Sequence, residues 1–551
     1  MVFARAALAS GPGTVWNSIS RLLPGKGQAD GGVDFFPATW YFALMEREEG
    51  GMEGSGGRIG FANPEDFSRL RSALAAAEYT DAGVLGVLRV KDFPSIRERD
   101  LPLLLRCTDR GTPLDTLIRL FLIEVPVSEG EFRRAIHPMD LETWVEGGLV
   151  QTEGGSVSAG VKLIPFQDLL LAFDLDRRLS SPLSRDYVMG IGRSSLTLAN
   201  ITVRRPARLT LDLGTGCGFQ ALLAARHSDR VLAVDRNPRA VQMAAFNARL
   251  NGFSNVECLE GDLFEPVRGL GFDLIVSNPP FVISPEARYL YRDGGMEGDD
   301  LCRRIVREAP GFLAEGGFCQ ILCNWAEPSG QQWQERLKGW FDGTGCDAWV
   351  MRSETRDVAA YASTWIRHTE RSEPEEYPRR FAEWMDYYQR RGIEGVGAGL
   401  ITLRRSAGRR NWVRAEEGPD RAVGPGGEYI LRGFELRDFL EAGNEDALLL
   451  QAAYRASPDL CLERRSKPSA EGWKEVSASI RLEKGLAYQG SVDPFMANLI
   501  MGCDGRRALG GLMNEMAVSL GLDPEKIRPA FCGLARRLVE QGFLLPAHFD
   551  G

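Results

Sequence analysis

The run Leu209-Thr210-Leu211-Asp212-Leu213-Gly214-Thr215-Gly216-Cys217-Gly218 decides how this 551-residue chain is read. Its first half is a short apolar stretch with the length and composition of a buried strand. Its second half is a glycine-rich turn, where missing side chains let backbone and ligand approach closely. The spacing is GxGxG, distinct from the GxGxxG of dinucleotide-binding turns. From about Asp186 to Arg405, strand-like and helix-like patterns alternate, which predicts an α/β fold with a doubly wound, mainly parallel sheet. Strands are expected at 209–213, 231–235, 256–260, 272–277 and 318–324, with later ones near 348–352 and 399–403. Asn237 can cap the helix after the second strand, Pro238 suits its first turn, and Asn251-Gly252 closes it.

Ligands of such sheets bind beyond the carboxyl ends of the strands. Asp235 ends the second strand, where a carboxylate can accept two hydrogen bonds from ribose hydroxyls. Asp262, in Glu260-Gly261-Asp262-Leu263-Phe264, ends the third, where it can accept from an adenine amino group. The fourth strand ends in Asn278-Pro279-Pro280-Phe281. A planar exocyclic amine or amide nitrogen is a poor nucleophile because its lone pair is delocalised. The Asn278 side-chain oxygen and the Pro279 carbonyl can accept its two N–H groups and favour a pyramidal nitrogen. Pro280 stiffens the turn, and Phe281 offers a face for stacking. A glycine turn alone, or Pro-Pro alone, also ends strands without binding anything. Here Asp235 and Asp262 stand at two further strand ends, which argues for a ligand. A nicotinamide-dinucleotide site would leave Asn278 to Phe281 unexplained.

This ordered set resembles the class I S-adenosylmethionine-dependent methyltransferases with a Rossmann-like sheet. Within them it looks like the branch with an Asn-Pro-Pro-aromatic motif. The phrase Gly261-Asp-Leu-Phe-Glu-Pro266 through Pro280 is similar to the HemK-like glutamine methyltransferases. It also resembles the methyltransferase small-domain family that modifies ribosomal and transfer RNA. The resemblance implies that Asp212 with Gly214, Thr215, Gly216 and Gly218 holds the methionine part of S-adenosylmethionine. Asp235 then holds the ribose, Asp262 and the Leu263 backbone contact the adenine, and Arg236 and Leu263 flank its ring. Asn278 stands at both the cofactor and the acceptor, with Pro279, Pro280 and Phe281 completing the catalytic tetrad. The segment Asp186–Ser194 folds over the cofactor in this reading. The implied substrate is a macromolecule carrying a planar nitrogen: an RNA or DNA base, or a protein glutamine. The alternative is a non-catalytic cofactor-binding or scaffolding protein, for which Asn278 to Phe281 would have no use.

The rest of the chain sets limits. A net charge of −9 gives no global reason to seek nucleic acid, although a local basic patch could bind it. Ten cysteines are scattered singly and four histidines give them no metal-ligand spacing, so no metal site or disulfide framework is expected. Reduced thiols and the lack of a bilayer-length apolar run point to a cytoplasmic protein. Residues 1–60 read as a tail and Gly-rich linker; Met1 to Ala29 holds Arg5, Arg21 and Lys26 without an acid, so an organelle presequence is the alternative.

Residues 61–185 carry helical patterns at 64–77, 113–123, 129–136 and 139–145. A strand at 149–152, a Gly154-Gly155 turn and a strand at 156–165 follow, giving a winged-helix-like block suited to packing on its neighbour. Residues 186–405 form the methyltransferase block. Residues 406–551 form an α+β block ending in helices at 493–501, 506–520 and 524–541, again winged-helix-like. These flanks depart from the helical substrate-binding domain of the HemK-like enzymes. Three smaller features stand out. Tyr289, Tyr291 and Arg292 are candidates for a substrate-facing loop, with an ordinary surface loop as the equal alternative. Cys319 and Cys323, four apart on one strand, read as core. Arg404 to Arg414, with five arginines and Trp412, reads as a solvated inter-domain loop, with phosphate contact as its alternative.

Overall fold

The computed structural model describes residues 33–34, 58–93, 100–176, 185–286, 289–369, 375–419, 421–442, 446–470 and 472–549. The tail and linker expected at 1–60 lie almost wholly outside them. The described chain divides into two compact units. One runs to Gly418 and includes the N-terminal helices; the other gathers Asn200–Arg204 and Pro419–Gly551 with the strand Val33–Asp34.

The first unit is organised by an eight-stranded mixed sheet. Its elements are α1 (Arg193–Ile201), β1 (Ala207–Leu213), α2 (Phe219–Ala224), β2 (Ser228–Asp235), α3 (Pro238–Leu250), β3 (Val256–Glu260), β4 (Phe272–Ser277), α4 (Asp300–Glu308), β5 (Leu313–Pro328), α5 (Trp333–Lys338), β6 (Cys346–Asp357), α6 (Val358–Thr369), α7 (Tyr377–Arg391), β7 (Ile393–Arg405) and β8 (Val413–Glu417). The strand order is β8-β6-β7-β5-β4-β1-β2-β3. Strands β3, β2, β1, β4 and β5 run parallel, and β7 is antiparallel to both β5 and β6. The order reverses between β1 and β4, so the ends of these two strands frame a crevice where a doubly wound sheet binds its ligand. Sheet residues such as Leu211, Leu232, Ile275, Cys319 and Cys323 are buried in one core with α4 and α5, as expected for the two cysteines.

The sheet runs past the expected limit at 405. Residues 413–417 pair with β6 as β8, so the arginine-rich stretch forms a sheet edge. Asp347, fully buried on β6, draws in its cations: Arg404 donates to it at 2.6 Å, and Arg409 also pairs with it. Trp412 is buried. The solvated-loop reading holds for 407–410, which are exposed, and is corrected for its ends, where the buried carboxylate takes up Arg404 as well as Arg409 and Trp412 is buried.

N-terminal to the sheet, helices at Glu65–Ala76, Pro113–Phe121, Glu129–Ala135 and Leu141–Glu146 fall where apolar spacing puts them. Two are fixed by reciprocal capping boxes, Thr112 with Asp115 and Ser128 with Glu131. The strand expected over 156–165 is instead two strands. Ser156–Ala159 pairs with Val150–Glu153 and Val127–Ser128, whereas Lys162–Phe166 forms a separate hairpin with Leu169–Phe173. The break is at Gly160, whose Cβ, if present, would sit 2.6 Å from the Gly148 carbonyl oxygen. This region shares one hydrophobic core with α3: Phe67 packs against Phe246 with ring centroids 5.4 Å apart.

The hairpin is also tied to α3 by side chains that imitate a neighbouring strand. Asn247 exchanges two 2.8 Å hydrogen bonds with the backbone of Ala172, and Asn251 does the same with Leu170 at 2.8 and 2.7 Å. One turn apart on the helix, the two amides match backbone groups two residues apart on the strand.

The second unit contains helices Gly427–Ala442, Asp446–Gln451, Pro494–Gly502, Leu509–Leu520 and Pro524–Glu540. A three-stranded sheet joins Asp504–Ala508, Ala453–Ala456 and Leu544–Pro546, and a long hairpin spans Leu460–Ser469 and Gly472–Leu482. The helix expected from Arg506 starts at Leu509, because Asp504–Ala508 is spent on sheet pairing.

Candidate functional site

Strand ends β1, β2, β3 and β4 open into one cleft. Asp212, Gly214, Thr215, Gly216, Asp235, Arg236, Asp262, Leu263, Asn278, Pro279 and Pro280, all singled out in the sequence, line it. Gly218 and Phe281 do not. Gly218 has φ +86° and opens α2 against Ala244, where an added Cβ would come within 3.1 Å; its role is helix placement. Phe281 packs among the buried side chains beside the cleft, in the core that holds Val282, Ile283 and Tyr361. The stacking face expected of it is thus absent from the cleft wall. Tyr291 stands on that wall instead, with Tyr187 edge-on at 5.4 Å.

The glycine turn is shaped by its two acids. Gly214 and Gly216 adopt φ +74° and +56°, and a Cβ on either would meet no protein atom within 4 Å, leaving bare backbone at the cleft. Asp212 accepts from the Thr215 hydroxyl at 2.6 Å and the Ala221 N–H at 2.9 Å. Burial pushes its carboxyl up to about 7, against the opposing pull of those two donors. Asp235 receives the Gly216 N–H on one oxygen and the Asn237 N–H on the other, each at 2.9 Å. Burial raises its pKa as well. Both carboxylates keep lone pairs for further donors. Asp262 differs: half exposed, it pairs with Arg304 at 3.2 Å. Leu263 follows at φ +49°, a left-handed backbone for a branched residue that turns the chain back at the cleft rim.

Asn278 closes the opposite side. Its Nδ2 donates to Ser194 Oγ at 3.1 Å and lies 3.4 Å from Ser195 Oγ, both in the first turn of α1. Its Oδ1 is buried without a hydrogen-bond donor. A buried carboxamide oxygen left bare costs about 1–3 kcal/mol, so it is suited to accept an N–H. Behind it, Tyr361 hydroxyl receives the Ile283 N–H at 3.2 Å and Tyr388 hydroxyl donates to the Ile283 carbonyl at 2.8 Å, holding the Pro-Pro exit rigid.

The segment Asp186–Ser194 contributes Tyr187, Val188, Met189 and Gly190 to the cleft, so it does cover the glycine turn. Its anchor went unseen in the sequence. Asp174 accepts the Val188 N–H at 2.8 Å and holds Arg239 of α3 through Nε at 2.9 and 3.0 Å, with all three groups buried. The loop expected to face substrate is split. Tyr289 and Arg292 are buried, with Arg292 bonded to Asp293 at 2.7 Å and stacked on Tyr289, whereas Leu290 and Tyr291 line the cleft. Among the described residues no cluster of His, Cys, Asp or Glu could hold a metal ion.

Residues 191–343 match the family described as "Methyltransferase small domain". Release factor glutamine methyltransferase of Geobacter sulfurreducens is 37% identical over 158 residues, 26% of this chain and 53% of that one. The Escherichia coli protein of the same name is 32% identical over 157 residues, 26% and 55% of the two chains. Ribosomal protein uL3 glutamine methyltransferase of Bradyrhizobium diazoefficiens is 41% identical over 126 residues, 20% and 40%. The sheet block is similar to the HemK-like class I methyltransferases. The chain spans about half the length of the relatives it matches. Its flanks match two domains of unknown function, at 76–160 and 432–546. S-adenosylmethionine is the cofactor that this family implies. The cleft fits it, with bare glycine backbone, a buried and a half-buried acid at successive strand ends and a bare amide oxygen beyond them.

Proposed function

We propose that the protein transfers a methyl group from S-adenosylmethionine to a planar nitrogen of a macromolecule, with a protein glutamine amide as the leading acceptor. The observation that carries this reading is the bare, buried Oδ1 of Asn278 across the cleft from the glycine turn. The relatives named for glutamine methylation favour the amide over an RNA or DNA base.

When bound, the cofactor supplies an electrophilic sulfonium methyl. Asp235 would accept from the ribose hydroxyls and the Asp212 carboxylate would face the methionine ammonium. Asp262 and the Leu263 backbone would meet the adenine, with Arg236 and Leu263 flanking its ring. Asn278 Oδ1 accepts one acceptor N–H and the Pro279 carbonyl the other. Holding both hydrogens aims the nitrogen lone pair and stabilises the positive charge that grows on it. Tyr291 takes the stacking role expected of Phe281. No covalent enzyme intermediate is needed.

The order helix, short strand, two helices and two strands over 113–159 supports a winged-helix reading of that block, serving to pack on α3. A similar run of helices and strands over 494–546 supports the same reading for the C-terminal unit. Ten unpaired cysteines support action in the cytoplasm. Among the described residues no helix is long and apolar enough to cross a membrane.

The test incubates the protein with tritiated S-adenosylmethionine and cell lysate. Label destroyed by protease and recovered as N-methylglutamine after enzymatic digestion supports the proposal. Label removed by ribonuclease transfers the assignment to RNA, and no incorporation overturns the methyltransferase reading.

A further inference from the structure

The proposed chemistry needs Asn278 to present an oxygen, yet a carboxamide is nearly symmetric in shape. Turned by half a rotation about its last bond, it would offer an NH₂ to the acceptor and repel the hydrogens it must receive. We infer that Ser194, seconded by Ser195, is the positioning residue that holds the Asn278 side chain at the torsion that brings Oδ1 to the acceptor; this rests on the amide-clamp reading above.

The geometry is specific. Both Asn278 Nδ2 contacts are serine hydroxyls, at 3.1 Å and 3.4 Å, and both serines come from the first turn of α1, more than eighty residues away in sequence. That turn is itself located by the cofactor side of the cleft. Gln220, in the first turn of α2, donates Nε2 to the Ser195 carbonyl at 2.7 Å. The glycine turn leads directly into α2, so one short path joins the two halves of the reaction site: Gly218 to Gln220, Gln220 to Ser195, Ser194 to Asn278. The Asn278 backbone is fixed independently, because Ser277 Oγ donates to the Leu213 carbonyl at 2.8 Å and β4 pairs with β1. Only the side-chain torsion is left for the serines to decide. A flipped amide would turn its NH₂ into the cleft, where an acceptor N–H could not bind it.

Ser194 does not line the cleft, so it acts through Asn278, whereas Ser195 also borders the cleft. The expected signature is a loss in kcat with cofactor binding intact. Ser194→Ala should lower kcat about tenfold, and Ser194→Ala with Ser195→Ala further still. Ser194→Thr, which keeps the hydroxyl, should restore most of the rate. Calorimetric affinity for S-adenosylmethionine should stay within twofold in the two Ser194 single variants. In spectra of protein labelled at asparagine nitrogen, the side-chain NH₂ signal that Asn278→Ala removes should shift in Ser194→Ala and lie near its original position in Ser194→Thr. Wild-type kcat in the double variant, beside an inactive Asn278→Ala, would overturn this inference and leave the clamp standing. Full activity of Asn278→Ala would remove the clamp itself, and the serine assignment with it. If the double variant loses its fold, the Ser194→Thr rescue and the NH₂ shift in the single variant still decide the matter.

Discussion

Asn247 of α3 and Ala172 of the N-terminal hairpin satisfy each other completely: the Ala172 N–H donates to Oδ1 and Nδ2 donates to the Ala172 carbonyl, both at 2.8 Å. The same Nδ2 reaches the Cys217 carbonyl at 2.8 Å, inside the glycine turn. One fully buried amide thus joins the flanking block to the cofactor loop. Asn247→Ala strips three buried backbone groups of a partner and should cost about 2–4 kcal/mol. Guanidinium unfolding followed by tryptophan fluorescence should show the midpoint of the first unit fall, and an unchanged midpoint would contradict this role.

Asp212 sets a pH dependence on cofactor binding. Burial raises its pKa to about 7, so at lower pH the free protein carries a neutral carboxyl there. A cationic ammonium prefers the ionised form, and binding must then expel a proton. Affinity for S-adenosylmethionine should rise with pH up to about 7, by as much as roughly tenfold per unit, and then level. The sign for stability is opposite. The folded state holds this proton more tightly than the unfolded chain, so the contribution of Asp212 to stability falls as pH rises from about 4 to 7. Calorimetry at several pH values tests the affinity, and Asp212→Asn should flatten the profile.

Asp235→Ala removes the acceptor assigned to the ribose and also frees the Gly216 and Asn237 N–H groups. Affinity for S-adenosylmethionine should fall about 10- to 100-fold, the worth of one or two charge-assisted hydrogen bonds. Unchanged affinity would contradict the ribose assignment.

Asn278→Ala should lower kcat about 10²- to 10³-fold, the usual cost of removing one donor or acceptor aimed at developing charge. Cofactor affinity should change little, since Asp212 and Asp235 stand at other strands. Single-turnover methyl transfer and calorimetry on the same preparation separate the two effects.

Arg239 and Asp174 form a buried ion pair beneath the Tyr187–Gly190 segment. Arg239→Met would leave Asp174 buried and uncompensated, at a cost of about 3–5 kcal/mol. Thermal unfolding should register the loss, whereas Arg239→Met combined with Asp174→Leu should recover much of it.

What the sequence made legible follows the reach of its signals. Strands 256–260 and 272–277 were placed to the residue, because a short apolar run bounded by turn residues is a local statement. Asp212, Asp235, Asp262 and Asn278 meet in one cleft because each ends such a run and the sheet gathers strand ends into one place. Strand β5 is longer than its apolar centre suggests, from Leu313 to Pro328, since pairing with β7 carries it through Glu327. Partners more than fifty residues apart left no trace: Asp174 for Arg239, Ser194 for Asn278 and Asp347 for the arginines of 404–409. Phe281 was misplaced because a motif fixes a residue's order in the chain, whereas its side-chain direction depends on neighbours such as Tyr361 that arrive much later.

The aromatic cluster of Phe61, Phe67 and Phe246 means that residue 185 is no seam at which the polypeptide can be cut. A fragment starting there would bare one flank of α3 to water and drop Asp174, the counter-charge of Arg239. Any graft of the glycine turn onto another acceptor-recognition module therefore has to carry the N-terminal block that shares its core with α3.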